Sequence, residues 1–243
     1  MMEAIRIEGL KKVYKDVVAV DSLCLSVEQG ELFSLLGVNG AGKTTTIKML
    51  SCLTQPTDGD ALMMGHNIRT DAAAVKALIA VSPQETAIAP GLSARENLEL
   101  ICGVHGFTKE KRENKIKELC ELLGLDSIID RRAGKLSGGW QRRLSIAMAL
   151  ISEPKILFLD EPTLGLDVIA RSELWDIIRG LKGRITVVLT THYMEEAESL
   201  SDRVAIMKDG RLLICDTPDG IKSAAETDSF EQAFIRIVRE GTK

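Results

Sequence analysis

The sequence predicts an α/β fold in which a mostly parallel sheet is flanked by helices. Short, strongly apolar runs of strand length alternate with segments of helical periodicity, a pattern typical of parallel sheets with crossover helices. The chain has 243 residues, 45% of them hydrophobic, which is enough for one large core with an attached subdomain.

The N-terminal segment predicts an antiparallel β edge subdomain beside that core. Residues 4–10 alternate between apolar and polar side chains, and residues 18–27 form a second β-like run. The next run, residues 32–36, is apolar enough for a buried core strand, and helical spacing over residues 44–53 follows it. The core therefore begins with a strand, a short loop and a helix.

The middle of the chain predicts an inserted α-helical subdomain. Between about residues 93 and 150, apolar residues recur at helical spacing, with Leu98, Ile101 and Val104 on one face. We expect one domain whose parts are successive stretches of the chain. These are the core with its β edge (1–86 and 153–225), the helical subdomain (87–152) and a C-terminal helix (226–243).

The second half of the core repeats the alternation of strands and helices. Apolar runs at residues 155–159 and 184–189 flank an amphipathic stretch at residues 168–181. Two short strands separated by one helix predict a parallel pair joined by a right-handed crossover. Residues 203–207 and 211–215 are joined by an Asp-Gly turn and predict a β-hairpin.

The loop after the first core strand reads Gly-Val-Asn-Gly-Ala-Gly-Lys-Thr over residues 37–44. Glycines let several backbone N–H groups approach phosphate oxygens, and the N-terminus of the following helix adds positive potential. Between a strand and a helix, this pattern predicts a P-loop NTPase core that binds ATP or a related nucleotide. The alternative is a chance glycine-rich turn before a helix.

The P-loop residues have distinct expected roles. Lys43 would reach the β- and γ-phosphates and is a catalytic candidate, because its charge would lie against the transferred phosphoryl group. The Thr44 hydroxyl would bind Mg²⁺, which prefers oxygen ligands. The expected nucleotide contacts are Gly37, Asn39, Gly40, Ala41, Gly42, Lys43, Thr44 and Thr45.

Two adjacent acids follow the strand predicted at residues 155–159. The carboxyl ends of parallel strands form the ligand-binding edge of such sheets. Asp160 is therefore a candidate to hold Mg²⁺ through its water shell, and Glu161 a candidate to orient and polarise the water that attacks the γ-phosphate. The alternative is a solvated helix cap formed by Asp-Glu-Pro-Thr.

Three further residues are candidates by their position. His192 follows the strand predicted at residues 184–189 and can contact the γ-phosphate from the same sheet edge. Gln84 follows an apolar run at residues 79–82, where its amide can contact both Mg²⁺ and the attacking water. Tyr14 offers a ring for stacking on adenine. Each also has an ordinary explanation, as a structural histidine, a loop glutamine or a packing tyrosine.

A second glycine-rich helix start lies at Ser137, Gly138 and Gly139. Serine is a favoured N-cap residue, and glycines leave the first N–H groups of a helix open to an anion. This segment is either a second phosphate-binding end or a helix cap without a ligand.

The composition excludes several classes of protein. The net charge of −4 with interleaved signs gives no basic footprint, so we expect no nucleic-acid partner. Apolar runs such as residues 146–151 fall short of the roughly 20 residues needed to cross a bilayer, and charges near the start argue against a secretory signal. The chain is therefore expected in the cytoplasm. Its five cysteines and three histidines lack metal-ligand spacing, so we expect core cysteines and a metal that arrives with the nucleotide.

In this order, the motifs closely resemble those of the nucleotide-binding subunits of ATP-binding cassette (ABC) transporters. The resemblance covers nearly the whole chain, and its most family-specific part is the signature segment, residues 136–139. Trp140 departs from the pattern, since many members have glutamine there. The resemblance implies a head-to-tail dimer, with itself or with a homologous ATPase subunit. Two ATP would lie between the P-loop of one copy and Ser137 of the other.

The resemblance also assigns roles to single residues and to partners. It implies a nucleotide contact by Asp167, within the segment 164–167, and it supports Tyr14 and His192 as adenine-stacking and switch residues. It further implies a separate integral membrane permease, which the chain would drive as a peripheral subunit on the cytoplasmic face of the cell membrane.

Residues 191–198 resemble the bacterial branch that exports drugs, antibiotics or lipid-linked compounds. Two other functions stay open. A soluble mechanical ATPase of the same superfamily would act on ribosomes or DNA, but such proteins usually carry tandem cassettes or long coiled-coil insertions. A small-molecule kinase would use the same P-loop but would leave residues 136–141 unexplained.

Overall fold

The computed structural model describes residues 2–241, and its N-terminal part forms an antiparallel sheet. The strands of this sheet are β1 (Glu3–Tyr14), β2 (Val17–Glu28), β4 (Asp58–Met63) and β5 (His66–Asn67). They lie in the order β2, β1, β4, β5. The predicted β edge is confirmed, and it is larger than the sequence indicated, because β4 and β5 were not predicted.

The second sheet is the core of the molecule. Its strands are β3 (Leu32–Leu36), β6 (Ile79–Ser82), β7 (Ile156–Asp160), β8 (Thr186–Thr191), β9 (Arg203–Lys208) and β10 (Arg211–Asp216). The order is β10, β9, β3, β8, β7, β6, with β10 antiparallel to β9 and all other pairs parallel. The mostly parallel core and the terminal hairpin are therefore confirmed.

The register of the parallel strands brings their carboxyl ends to one edge. Asp160 lies opposite Thr190, and Leu36 lies opposite Thr191. Ser82 ends β6 opposite Leu159. The loops that follow β3, β6, β7 and β8 therefore leave the sheet side by side.

Helices cover the sheet and fill the middle of the chain. They are α1 (Lys43–Leu50), α2 (Ala72–Leu78), α3 (Ala94–Val104), α4 (Lys109–Leu123), α5 (Gly138–Leu150), α6 (Val168–Leu181), α7 (Met194–Leu200), α8 (Pro218–Ala224) and α9 (Phe230–Glu240). Within residues 2–241, none of the helices is both long enough and apolar enough to span a bilayer.

The inserted helices α3, α4 and α5 lie inside the stretch predicted as a helical subdomain, and α6 has the predicted bounds. Helix α1 ends earlier than predicted, because Ser51 caps it and Cys52 takes a positive φ of 54°. The C-terminal helix ends at Glu240, and the last residues assigned to it by prediction, 242–243, lie outside the described residues.

The structure departs from the sequence pattern at Val104 and at three of the five cysteines. Val104 is 75% exposed at the end of α3, although its spacing placed it with Leu98, which is fully buried. Of the cysteines, Cys24 is exposed on β2, Cys52 and Cys215 are half-buried, and the remaining two are buried. Spacing gives the phase of a helical face but not where that face leaves the core.

Candidate functional site at the carboxyl edge of the sheet

The P-loop between β3 and α1 is pressed against neighbouring strands. A Cβ on Gly37 would come within 2.4 Å of the Met207 carbonyl oxygen of β9. Gly42 has φ +100°, and a Cβ there would lie 2.6 Å from the Ala19 carbonyl oxygen of β2. Larger residues would displace the loop at both positions, so these glycines are required by the packing.

Lys43 is the first residue of α1, and its side chain is buried beneath the P-loop. Its Nζ donates to the Gly37 carbonyl oxygen at 2.7 Å and lies 3.4 Å from Glu161 Oε1. The ammonium group thus connects the loop to the end of β7, where charge on a bound phosphate would be neutralised.

Asp160 brings the ends of three elements together. Its Oδ1 accepts from Thr44 Oγ1 at 3.2 Å and from Thr190 Oγ1 at 2.5 Å. Hydroxyl and carboxylate oxygens are the ligands that Mg²⁺ prefers. Gln84 lines the same surface groove as Thr44. The three residues predicted as metal ligands therefore suit Mg²⁺ chemically.

Glu161 follows directly and has an unusual backbone. Its φ is 49°, in the left-handed region, while its N–H donates to Thr190 at 3.1 Å. One carboxylate oxygen faces Lys43, and the other, Oε2, lies 2.7 Å from His192 Nδ1. The carboxylate is therefore held between a lysine and an imidazole at the sheet edge, as a group that polarises water requires.

The P-loop cleft is the groove of about 300 Å³ above these residues. Its lining consists of Val17, Val18, Ala19, Asn39, Gly40, Ala41, Gly42, Lys43, Thr44, Thr45, Gln84 and Glu161. Most predicted P-loop contacts lie in it, and Gly37 lies buried below. The three β2 residues were not predicted, because they are apolar and give no chemical signal in the sequence.

Tyr14 and His192 lie beside this cleft and are not part of its lining. Tyr14 is 45% exposed and pairs with Val17 at the turn between β1 and β2, with Lys12 Nζ 4.9 Å from its ring centroid. His192 reaches the cleft through its contact with Glu161.

The signature segment lies apart from the P-loop cleft. Ser137 and Gly138 are exposed, and neither they nor Gly139 lines that cleft. Ser137 occupies the N-cap position of α5, but its side chain makes no capping hydrogen bond there. The alternative in which this serine serves only as a helix cap therefore has no capping hydrogen bond to support it.

Asp167 has a structural contact inside this chain. Its Oδ1 accepts from the backbone N–H groups of Ile169 and Ala170, at 3.0 and 2.9 Å, and so caps α6. The residue is exposed and does not line the P-loop cleft. Its predicted nucleotide contact stays a prediction.

Two buried polar residues beside the site were missed. Arg142 is 4% exposed and donates to the backbone carbonyl oxygens of Gln84 and Glu161. Glu196 is fully buried and accepts from Thr163 Oγ1 at 2.8 Å. Burial lowers the pKa of Arg142 and raises the pKa of Glu196. A charged residue on a helix is usually exposed, so the sequence carried no signal for either.

The model of the ABC transporter family matches residues 20–164. The chain belongs to the ABC transporter family. Over 91% of its length, this ABC chain is 40% identical to the daunorubicin/doxorubicin resistance ATP-binding protein DrrA of Streptomyces peucetius, of which it spans 67%. It is also 40% identical to the human phospholipid-transporting ATPase ABCA3, over 88% of this chain but only 13% of that much longer protein.

Among solved structures, an ATP-binding cassette that is dimeric and bound to ADP and Pi in a post-hydrolysis state has a TM-score of 0.78 to this chain. The identity is 26%, over 88% of this chain and 98% of the other. The chain is thus an ATP-binding and ATP-hydrolysing ABC domain.

Proposed function

We propose that this chain is the ATPase subunit of an exporter, in which two such subunits enclose two ATP and drive a separate membrane permease. The observation that carries the proposal is the separation of two anion-binding ends. The P-loop cleft is complete within the chain, whereas the signature segment is exposed and makes no contact with that cleft.

In the proposed ATP complex, the P-loop from Gly37 to Thr45 wraps the phosphates, and Lys43 turns from the Gly37 carbonyl to the β- and γ-phosphates. Tyr14, at the mouth of the cleft, stacks on adenine. Its exposed ring and the apolar side chains of Val17 and Val18 support this placement.

Thr44, Asp160 and Gln84 are the residues that would hold Mg²⁺. Bound there, the ion would neutralise charge on the β- and γ-phosphates. Thr190 keeps the Asp160 carboxylate oriented through its 2.5 Å hydrogen bond. The distance of 3.2 Å between Thr44 Oγ1 and Asp160 Oδ1 supports this donor set.

For hydrolysis, Glu161 orients and polarises the attacking water. Its Oε2 contact fixes His192 through Nδ1, which leaves the other ring nitrogen of His192 for the γ-phosphate. Lys43 and Glu161 lie 3.4 Å apart, so a positive and a negative group stand side by side where the γ-phosphate would bind.

The dimer is proposed to be head-to-tail, so that Ser137, Gly138 and Gly139 of one copy meet the γ-phosphate bound by the other. The Ser137 hydroxyl, which does not cap its own helix, is then free to bind phosphate. Asp167 would lie at the same seam, next to the exposed side chains of Val168 and Ile169.

The membrane partner is proposed from the family and from the names of its relatives. The chain would sit on the cytoplasmic face of the membrane and contact an integral permease through residues 85–96, which follow Gln84. DrrA is named for drug resistance and ABCA3 for phospholipid transport. Export of an amphipathic drug or lipid is therefore the proposed direction and class of cargo.

The test uses Glu161→Gln, which should bind Mg-ATP and hydrolyse it very slowly. We expect sedimentation of this variant at twice the monomer mass with Mg-ATP and at the monomer mass with Mg-ADP. The double variant Ser137→Glu/Glu161→Gln is the matched control, because a carboxylate at the seam should repel the γ-phosphate. Single particles in every condition would refute the proposed dimer.

The transporter assignment has a separate test. From gently solubilised membranes, the Glu161→Gln chain should co-purify with an integral membrane protein, and its recovery should depend on nucleotide. A chain recovered alone under all nucleotide conditions would refute the proposed partner.

A further inference from the structure

Arg142 connects the inserted helical subdomain to the catalytic edge of the sheet. It lies on α5, is buried, and donates to the carbonyl oxygens of Pro83 at 2.5 Å and Gln84 at 2.7 Å. It also donates to the Glu161 carbonyl oxygen at 3.2 Å. One guanidinium group therefore joins α5, the loop after β6 and the end of β7.

The same turn of α5 fixes the signature segment. Gln141 Nε2, next in sequence to Arg142, donates to the carbonyl oxygens of Ala133 at 3.1 Å and Leu136 at 3.2 Å. In one turn of α5, Gln141 is therefore hydrogen-bonded to the signature segment and Arg142 is hydrogen-bonded to the core. A displacement of Ser137 at the start of α5 must move the guanidinium group as well.

Arg142 also supports the strained backbone of Glu161. A left-handed φ of 49° costs a non-glycine residue of order 1 kcal/mol and persists only where its surroundings impose it. The Glu161 N–H is held by Thr190, and its carbonyl oxygen is held by Arg142. If Arg142 is displaced, the Glu161 carboxylate loses its fixed position against His192.

We propose that Arg142 is a positioning residue through which the signature end of α5 controls Gln84 and Glu161 of the same chain. This inference rests on the proposed head-to-tail dimer. In that dimer, Ser137 binds the ATP held by the partner copy, while Arg142 acts on the chain's own site. Arg142 thus couples the two ATP sites, so that each chain hydrolyses efficiently only when the other site is filled.

The experiment uses Arg142→Lys, which keeps the charge and the long stem but replaces the planar guanidinium, whose two terminal nitrogens reach the three carbonyl groups, with a single ammonium nitrogen. With Arg142→Gln as a second variant, we measure the affinity for a fluorescent ATP analogue, the ATP dependence of hydrolysis and the melting temperature. Arg143→Lys is the matched control, because Arg143 lies on the same helix and pairs with Glu173 instead of the core.

In wild type we expect sigmoidal hydrolysis with a Hill coefficient approaching two, the number of sites in the dimer. Arg142→Lys should lower kcat by about 10- to 100-fold, as expected when charge-assisted hydrogen bonds that orient a catalytic group are lost. Its Hill coefficient should fall to about one, while nucleotide affinity stays within about twofold. Arg143→Lys should behave as wild type.

Several outcomes would overturn the inference. Unchanged kcat and Hill coefficient in both Arg142 variants would exclude the coupling role, and loss of nucleotide binding or folding in both would show a purely structural role. If wild type itself is monomeric and non-cooperative, the proposed dimer is refuted. This outcome differs from a refutation of the Arg142 role alone, in which wild type is a cooperative dimer.

A double-mutant cycle provides an independent check. Ser137→Ala and Arg142→Lys should have non-additive effects on kcat, because they interrupt the same connection. Additive effects would show that the two residues act independently and would overturn the inference.

Discussion

The chain contains two glycine-rich helix starts, and the structure treats them differently. At the P-loop, a Cβ on Gly37 or Gly42 would overlap a neighbouring backbone carbonyl oxygen, and Lys43 is buried beneath them. At the signature segment, Ser137 and Gly138 are exposed. The same sequence chemistry thus yields one end enclosed by its own chain and one end open to solvent.

The difference is the reason for proposing that function is divided between two copies. The P-loop, Asp160 and Glu161 form a preorganised site, because each polar group already has a partner within the chain. The Ser137 side chain has no capping partner on its own helix. An end so placed is open to a ligand outside its own fold, which is the basis of the proposed dimer.

The largest expected effect comes from the enclosed site. Glu161→Gln should lower kcat by about 10²- to 10⁴-fold, the range for loss of a group that takes a proton in the transition state. The amide keeps the shape of the side chain and can still contact His192, so nucleotide affinity should change little. Phosphate release under saturating Mg-ATP measures the effect.

A matched control for that experiment is Glu195→Gln, since Glu195 lies near the site on α7 but is exposed, with Arg171 3.6 Å away. It should hydrolyse ATP at the wild-type rate. Equal turnover in Glu161→Gln and wild type would remove Glu161 from the catalytic role.

The second largest effect concerns binding at the same end. Lys43→Ala should weaken ATP binding by about 10- to 100-fold, because a hydrogen bond between charged partners is worth about 1.5–3 kcal/mol. Lys48→Ala is the control, since Lys48 lies on the same helix and is exposed. Titration with a fluorescent ATP analogue decides the matter, and equal affinities in Lys43→Ala and wild type would contradict the proposed contact.

The sequence predicted where the residues of the enclosed site lie relative to one another, because they follow the ends of strands. Asp160 and Glu161 follow an apolar run, and parallel strands must bring their carboxyl ends to one edge. The position of His192 beside Glu161 follows from the same rule. The strands and helices of the core were predictable for the same reason, with shifts of up to three residues at their ends.

What the sequence did not reveal depends on tertiary packing. Arg142 has the spacing of an ordinary helix residue, and only the fold turns its guanidinium group toward the loop at Gln84. Val17 and Val18 reach the cleft because the first residues of β2 lie beside the P-loop. The missing cap at Ser137 was equally invisible, since serine at a helix start normally caps.

A third prediction sharpens the comparison with two serines at helix starts. Ser93 caps α3, since its Oγ accepts from the Glu96 N–H at 3.2 Å. The Glu96 carboxylate in turn accepts from the Ser93 N–H. Ser137 makes no such bond. Ser137→Ala should therefore lower kcat by about tenfold through a lost phosphate contact while leaving the melting temperature unchanged.

Ser93→Ala should show the opposite behaviour. Loss of its cap should cost about 1 kcal/mol of stability, with hydrolysis per folded molecule unchanged. Thermal unfolding and ATPase assays on both variants test the contrast. A loss of stability in Ser137→Ala as large as that in Ser93→Ala would show that Ser137 is a structural cap.

The smallest expected effect lies behind the enclosed site, at the buried carboxyl group of Glu196. Burial raises its pKa, so the folded chain binds this proton more tightly than the unfolded chain does. The contribution of this group to the free energy of unfolding is complete below its pKa in the unfolded chain. It is lost as the pH rises through its pKa in the folded chain.

The variant Glu196→Gln cannot ionise, and its carbonyl can still accept from Thr163 and Trp175. In urea unfolding between about pH 5 and pH 8, the free energy of unfolding of the variant should rise relative to that of wild type by about 1 kcal/mol as the pH rises. If the difference in free energy of unfolding between variant and wild type does not change with pH, Glu196 has the same pKa in the folded and unfolded chain. Burial behind the P-loop cleft would then not disfavour the charged carboxylate.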